Sequence, residues 1–98
     1  MTKATYDEVV AHLKQRPRTT SCKDLLRLLE GLDFIILRAG SQGRHYTYRH
    51  PRIKGFRGNF DCGHGRNPDV LPVYIRDIIG VLEEYEPVLR SQRSEGNG

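Results

Sequence analysis

The segment that most constrains the fold covers residues 40–51 and has the sequence GSQGRHYTYRHP. Its two glycines, set among polar residues, predict a turn. Residues that favour β-structure then follow, until Pro51 ends the strand. Successive side chains of a strand point to opposite faces of the sheet. One face would carry His45, Thr47 and Arg49, and the other would carry Arg44, Tyr46, Tyr48 and His50.

The first of these faces has the composition of a reactive surface. His45 can exchange a proton near neutral pH, and Arg49, two positions beyond Thr47 on the same face, can bind a phosphate. The alternative is an ordinary hairpin strand whose outer side is only solvated. Tyr46 and Tyr48 could stack on nucleic-acid bases, but their alternation with His45 favours packing beneath helices. We expect a buried tyrosine face and an exposed histidine face.

The flanking segments predict helices that could cover such a sheet. A capping box from Thr5 to Glu8 begins the first helix. Ser21 begins a second helix, which Gly31 ends. Apolar side chains also recur at helical spacing near the C-terminus, where Pro87 is expected to end the last helix. The predicted helices are residues 6–15, 21–31 and 70–85.

The remaining segments predict two further strands. An apolar run at residues 34–37 has the length of a strand, and a short strand is expected at residues 59–62. A basic loop is expected at residues 50–58. The order α-α-β-β-β-α predicts an α+β fold in which helices cover one face of a three-stranded antiparallel sheet. Residues 91–98 lack apolar side chains to bury and are expected to be disordered.

Positive charge is concentrated around the central segment. The chain carries +4 overall, whereas residues 38–66 contain six arginines and one lysine against the single acid Asp61, and so carry +6. Twelve of the sixteen basic residues are arginine, whose guanidinium can bind a phosphate through two parallel hydrogen bonds. This pattern favours a polyanionic partner, RNA or DNA. The alternative is a solvated basic face that keeps a small protein soluble.

The two cysteines, Cys22 and Cys62, are too few to define a disulfide framework, and the N-terminus does not resemble a signal peptide. We therefore expect reduced thiols in a soluble, intracellular protein, with Cys22 as a small packing residue. No apolar run reaches the length needed to span a membrane.

Metal binding is the main alternative use of the cysteines and histidines. Cys62 and His64 lie one residue apart, and His45, His50 or Cys22 could complete a tetrahedron. Structural zinc sites, however, pair their ligands two to four residues apart at both ends. We therefore expect neither a metal nor a cofactor. A histidine with neighbouring arginines could instead cleave RNA by general acid–base catalysis.

The order of these parts resembles the HicA toxin family. The resemblance covers roughly residues 21–84, and its most specific part is the hairpin pattern G-x-H-x-x-Y-x-H-P at residues 43–51. The other matching parts are a leucine-rich segment at residues 25–34, a strand and histidine at residues 60–64, and an isoleucine-rich helix at residues 73–79.

This resemblance implies a double-stranded-RNA-binding-like α-β-β-β-α fold and a metal-independent mRNA interferase, an endoribonuclease of the hydrolase class. Such a protein is the cytoplasmic toxin of a type II toxin–antitoxin system, and a HicB-like antitoxin is its partner. The family's catalytic histidine falls on His45. We expect contacts to the phosphates and bases of mRNA from Arg44, Arg49, His50, Arg52, Arg57 and His64.

The predicted domain division has three parts. Residues 1–18 form an N-terminal helical extension, residues 19–89 the HicA-like domain, and residues 90–98 a disordered tail. Two other hypotheses stay open for the function. The chain could be a non-catalytic RNA-binding module of the same fold, or an interaction subunit whose basic face meets an acidic protein.

Overall fold

A computed structural model describes residues 5–15, 20–39, 45–62 and 68–90. Within these residues the predicted strand at the centre of the sequence is also the central strand of a three-stranded antiparallel sheet, with strand order β1-β2-β3. The strands are β1 (Ile35–Ala39), β2 (His45–His50) and β3 (Ile53–Asp61). The helices are α1 (Tyr6–Leu13), α2 (Cys22–Gly31), α3 (Pro72–Glu84) and α4 (Glu86–Arg90). These elements confirm the α+β class and the antiparallel sheet.

The first two helices begin where their capping residues predict. Thr5 Oγ1 accepts a hydrogen bond from the Glu8 backbone N–H at 3.2 Å, and Glu8 Oε1 accepts one from the Thr5 N–H at 2.8 Å. Ser21 Oγ accepts a hydrogen bond from the Asp24 N–H at 3.1 Å. These side chains satisfy backbone donors that have no partner within the first turn of a helix. Both predicted helix starts are confirmed.

The third strand is longer than predicted, and the basic loop expected at residues 50–58 is mostly strand. β3 begins at Ile53, two residues after the Pro51 that ends β2. Gly58, the last residue of the segment expected to be a loop, lies on the helix-facing side, where an added Cβ would come within 2.6 Å of the Tyr48 ring. Gly55 has a φ of 82°, which glycine adopts without steric cost. Gly58 therefore allows the Tyr48 ring to pack closely on β3, and Gly55 allows an irregular backbone conformation within the same strand.

A short helix follows the position at which helical structure was expected to end. α3 stops at Glu84, and α4 begins two residues later at Glu86, with Pro87 in its first turn. Proline is tolerated there because the first backbone N–H groups of a helix have no intrahelical acceptor. The helix predicted at residues 70–85 corresponds to α3, but it is not the last helix, because Pro87 lies within α4. The extra turn places Leu89, which is 1% exposed, in the core.

Helix α1 belongs to the same hydrophobic core as the rest of the fold. Tyr6, Val9 and Leu13 are buried in the cluster that the other helices and the sheet share. The Tyr6 hydroxyl donates a hydrogen bond to the Leu82 carbonyl at 2.9 Å, and the Arg90 guanidinium lies 4.6 Å from the centre of the Tyr6 ring. Burial is the main reason that the pKa of Tyr6 is raised above its usual value. The N-terminal helix is therefore packed into the fold.

The two faces of the sheet have different environments. On the helix-facing side Tyr48 and Phe60 are 2% and 0% exposed, and Tyr46 stacks on Phe60. On the opposite side Ile35 and Leu37 are 41% and 49% exposed. The predicted division of β2 into a buried tyrosine face and an exposed histidine face is confirmed.

We call the second surface the outer face. Residues paired across neighbouring strands share a face, and the register pairs Ile35 with Arg49, Leu37 with Thr47, Thr47 with Asn59, and His45 with Asp61. Within the described parts of the chain no helix covers this surface. The outer face consists of Ile35, Leu37, His45, Thr47, Arg49, Arg57, Asn59 and Asp61.

The two cysteines form a disulfide, so the expectation of reduced thiols is wrong. The Cα atoms of Cys22 and Cys62 are 5.6 Å apart, although 40 positions separate them in sequence. The bond links the first turn of α2 to the residue after β3. Two backbone hydrogen bonds close the same region, from the Cys22 N–H to the Pro68 carbonyl at 2.8 Å and from the Val70 N–H to the Thr20 carbonyl at 2.9 Å. We call this region the junction.

Three predictions concern parts of the chain outside the described residues. They are the glycine-rich turn before β2, the domain boundary near residue 18, and disorder in residues 91–98. No helix among the described residues is both long enough and apolar enough to cross a membrane.

We predict that reducing the disulfide lowers the melting temperature. Closing a loop of 40 residues removes unfolded-state entropy worth roughly 2–4 kcal/mol, which corresponds to a shift on the order of 10–20 °C for a domain of this size. Calorimetry with and without a dithiol reductant measures the shift. The variant Cys22→Ser/Cys62→Ser is the control, because its melting temperature should not respond to the reductant. An unchanged melting temperature of the reduced wild type would contradict the stabilising role of this bond.

Candidate active site

The predicted catalytic residue, His45, lies on the outer face as the first residue of β2. The side chain of His45 is 47% exposed, because its strand places it opposite the core-facing tyrosines. Its register partner on β3 is Asp61, the last residue of that strand. The two side chains therefore meet at one end of the sheet and on its uncovered side.

His45 and Asp61 are joined by a hydrogen bond between imidazole Nδ1 and carboxylate Oδ1. A carboxylate oxygen accepts hydrogen bonds, so Nδ1 must be the donor and carry the proton. In the neutral ring Nε2 is then the unprotonated nitrogen. None of the described residues forms a hydrogen bond with Nε2, and solvent reaches the side chain. This arrangement leaves the basic nitrogen of His45 available to a ligand.

Tyr74 of α3 joins His45 and Asp61 as the third residue of a chain of hydrogen bonds. Its hydroxyl donates a hydrogen bond to the second carboxylate oxygen of Asp61 at 3.3 Å. The negative charge of Asp61 is the main reason that the pKa of Tyr74 is raised above its usual value, which keeps the hydroxyl in its donating form. Both oxygens of Asp61 are therefore engaged, one by His45 and one by Tyr74, and the carboxylate has a defined orientation.

The junction lies directly beside this chain of hydrogen bonds. Asp61 precedes the disulfide-bonded Cys62, and Cys62 forms a β-bridge with Val70 shortly before α3 begins. Tyr74 is in the first turn of α3. The covalent link and the bridge thus hold the two segments that supply Asp61 and Tyr74 in a fixed relation.

A carboxylate on one ring nitrogen and an accessible second nitrogen form an arrangement suited to proton transfer. The carboxylate selects the tautomer, orients the ring and stabilises the imidazolium that forms when Nε2 takes up a proton. Asp61 and Tyr74 were not among the residues that the sequence singled out. One feature of the sequence could have pointed to Asp61, because Asp61 is the single acid of the basic segment at residues 38–66.

His50 is not on the outer face with His45. It is 4% exposed, and its ring packs edge-on against Phe34. Nε2 contacts the Leu32 carbonyl at 2.9 Å, and Nδ1 accepts a hydrogen bond from the Arg52 backbone N–H at 3.1 Å. The carbonyl can only accept, so Nε2 carries the proton of a neutral ring. These contacts make His50 a structural residue that joins the end of α2 to the turn after β2.

Arg52 also has structural contacts. Its side chain is partly buried, and Nη2 lies 3.4 Å from the Val88 carbonyl of α4. Arg52 therefore connects the turn between β2 and β3 to α4. This turn lies at the end of β2 opposite to His45. The structure does not bring His50 and Arg52 together with His45, although the sequence analysis predicted both as RNA contacts of a site with His45 as its catalytic residue.

Arg49 and Arg57 do share the outer face with His45, and both are exposed. Arg49 is four residues from His45 on the same strand, which corresponds to about 13 Å. Side chains that stand perpendicular to the sheet at this spacing suit contacts to different phosphates of a bound strand, and Arg57 lies beside Arg49 at the same end of the face. The other two predicted contacts, Arg44 and His64, lie outside the described residues.

No group of three or more histidine, cysteine, aspartate or glutamate side chains within the described parts of the chain could hold a metal ion. The sulfur of Cys62, considered above as a ligand, is bonded to Cys22. Proton transfer by His45 is the chemistry that the described residues of this site support.

Comparison of the chain with protein-family models gave no match, and comparisons with curated proteins and with solved structures gave no significant match. The function is therefore argued from the geometry of the site and from the resemblance in the hairpin.

We predict that the neutral His45 ring carries its proton on Nδ1. Nitrogen NMR of labelled protein distinguishes the two ring nitrogens, and Asp61→Asn should change the result because an amide can donate to Nδ1 and so favour the other tautomer. His12, on helix α1, provides a control signal that the substitution should leave unchanged. A wild-type ring protonated on Nε2 would contradict the described pairing.

Proposed function

We propose that this chain is a metal-independent endoribonuclease in which His45 is the general acid or base. The observation that carries the proposal is the hydrogen bond between His45 and Asp61 on the exposed side of the sheet. A catalytic histidine has to be accessible, oriented and able to exchange a proton, and this pair meets all three conditions. The basic character of the surrounding segment supports RNA as the substrate.

The proposed reaction follows from the free nitrogen of His45. Nε2 removes a proton from the RNA 2′-hydroxyl or from a water molecule, and the resulting oxygen nucleophile attacks the neighbouring phosphate. Asp61 stabilises the imidazolium form of His45 during this step, and Tyr74 holds Asp61 in position. The imidazolium can then return the proton to the departing 5′-oxygen.

The resemblance to HicA-like toxins supplies the biological part of the proposal. The order α2-β1-β2-β3-α3 supports the proposal of a double-stranded-RNA-binding-like α-β-β-β-α fold. The chain would be the toxin of a type II toxin–antitoxin system that cleaves mRNA in the cytoplasm. A HicB-like antitoxin with acidic residues would bind the basic outer face and cover His45.

The disulfide bears on whether the proposed enzyme would be active in a reducing cytoplasm. The cytoplasm keeps most protein thiols reduced, whereas the junction beside Asp61 is cross-linked through Cys22 and Cys62. Activity in a reducing environment would depend on how far the junction keeps Asp61 and Tyr74 in place without the bond. The β-bridge between Cys62 and Val70 is a contact that does not require the disulfide.

A non-catalytic RNA-binding module is the second candidate. The observation that favours it is the pair of exposed arginines on the outer face, Arg49 and Arg57, since these would bind phosphates whether or not His45 transfers a proton. The two candidates agree on RNA binding and differ on the effect of removing the imidazole.

We predict that His45→Ala lowers the rate of RNA cleavage by about 10²–10⁴-fold, the usual contribution of a positioned general acid or base. Gel analysis of a labelled mRNA fragment incubated with purified protein measures this rate. The melting temperature should change little, because His45 is exposed and contributes nothing to the core. Excess EDTA should leave wild-type cleavage unchanged.

His12→Ala is the matched control, since it removes a histidine of the first helix and should leave cleavage intact. Wild-type cleavage that persists in His45→Ala would contradict the proposed mechanism. Binding of RNA without cleavage by the wild type would support the non-catalytic module instead.

A further inference from the structure

The outer face carries two arginines close to each other at the end opposite to His45. Tyr48 of β2 pairs with Gly58 of β3, and Arg49 and Arg57 are the next residues beyond this pair on the two strands. The regular register of β2 and β3 breaks between Tyr48 and His50, so Arg49 lies at an irregularity of the sheet. Arg49 and Arg57 both belong to the outer face. Like charges that face each other on a sheet repel. A bound anion would remove this repulsion.

These arginines differ from several basic residues of the helical layer. Lys14 pairs with Glu83, Arg27 with Asp24, and Arg90 with Asp7 and Glu86. Within the described parts of the chain neither Arg49 nor Arg57 forms an ion pair with a carboxylate. Their charges are therefore available to a ligand that lies on the outer face.

An apolar row lies beside the arginines. Ile35 and Leu37 of β1 are paired with Arg49 and Thr47 of β2, and they are 41% and 49% exposed. Exposed aliphatic side chains next to cations without a carboxylate partner suit a ligand that has both apolar surfaces and negative charges. The bases of a single RNA strand present flat apolar surfaces, and its phosphates present the charge. A duplex hides the apolar surfaces of its bases in the stack.

The distance between His45 and the arginines indicates how long a ligand that contacts both would be. The Cα atoms of His45 and Arg49 are about 13 Å apart along β2. Side chains that stand perpendicular to the sheet at this spacing suit an extended ligand that carries more than one phosphate. The acidic residues of the proposed antitoxin could also contact the arginines, but a protein offers no group on which the His45–Asp61 pair would act. The ligand that uses both ends of the outer face in the reaction is therefore RNA.

We propose that the outer face binds an extended single strand of RNA, which runs along β2 from the cleavage site at His45 to the arginine pair Arg49 and Arg57. Ile35 and Leu37 contact its bases. This inference rests on the proposed ribonuclease function for the role of His45. The arginines hold a part of the strand that is remote from the bond being cleaved.

Substrate length separates this inference from the proposed function. A dinucleotide occupies the site at His45 alone, whereas a single strand of roughly ten nucleotides can also reach the arginines. For Arg49→Gln/Arg57→Gln we expect kcat/KM on the long strand to fall by at least tenfold, with kcat/KM on a mixture of dinucleotides unchanged. The salt dependence of binding to the long strand should also weaken, by about 0.7 in the logarithmic slope for each phosphate that the variant no longer neutralises.

Lys14→Gln/Arg27→Gln is the matched control, because it removes the same charge from the helical layer and should alter neither substrate's cleavage. Ile35→Ser/Leu37→Ser should also weaken cleavage of the long strand without affecting dinucleotides. A duplex of the same length should bind more weakly than the single strand, and polyglutamate should displace the RNA less effectively than polyuridine does.

Four results would overturn the inference. They are an equal loss on long and short substrates in Arg49→Gln/Arg57→Gln, no loss on either substrate, duplex binding as tight as single-strand binding, and displacement by polyglutamate as effective as by polyuridine. In each of these four cases the wild-type protein still cleaves RNA. If the proposed function itself is wrong, the wild-type protein cleaves neither substrate, so the two failures can be told apart.

Discussion

The packing of Tyr48 between the sheet and the helices determines how the rest of the molecule is arranged. Its ring is 2% exposed, contacts Phe34, Phe56 and Phe60, and lies over Gly58, where a Cβ would come within 2.6 Å. A shift of β2 by one residue would turn this ring to solvent and turn His45 to the core-facing side of the sheet. The aromatic core therefore fixes which face of β2 is exposed, and with it the location of the reactive histidine.

A second constraint acts at the end of the sheet, where the disulfide, a β-bridge and two backbone hydrogen bonds join α2, β3 and the segment before α3. Asp61 and Tyr74 come from two of these segments, so their alignment depends on the junction. The core exposes His45, and the junction supplies the carboxylate that orients it. Stability and site geometry are thus linked through the same few residues.

The sequence predicted the local parts of this arrangement better than the long-range parts. Capping at Thr5 and Ser21 and the two faces of β2 follow from patterns within a few residues, and all are confirmed. The pairing of His45 with Asp61 spans 16 positions and depends on a strand register that includes a bulge. The disulfide spans 40 positions. Residues 50–58 were expected to be a loop, and the close packing of Gly58 against the Tyr48 ring, which places this residue in β3, depends on tertiary structure.

In the proposed mechanism Asp61 acts through His45, and a double-mutant cycle of RNA cleavage rates tests this most directly. Single-turnover rates would be measured for the wild type, His45→Ala, Asp61→Asn and the double variant in excess EDTA. We expect Asp61→Asn to lower the rate on the order of 10²–10⁴-fold when His45 is present, and to have no further effect in His45→Ala. An equal loss from Asp61→Asn with and without His45 would show that the two residues act independently, and would contradict the mechanism.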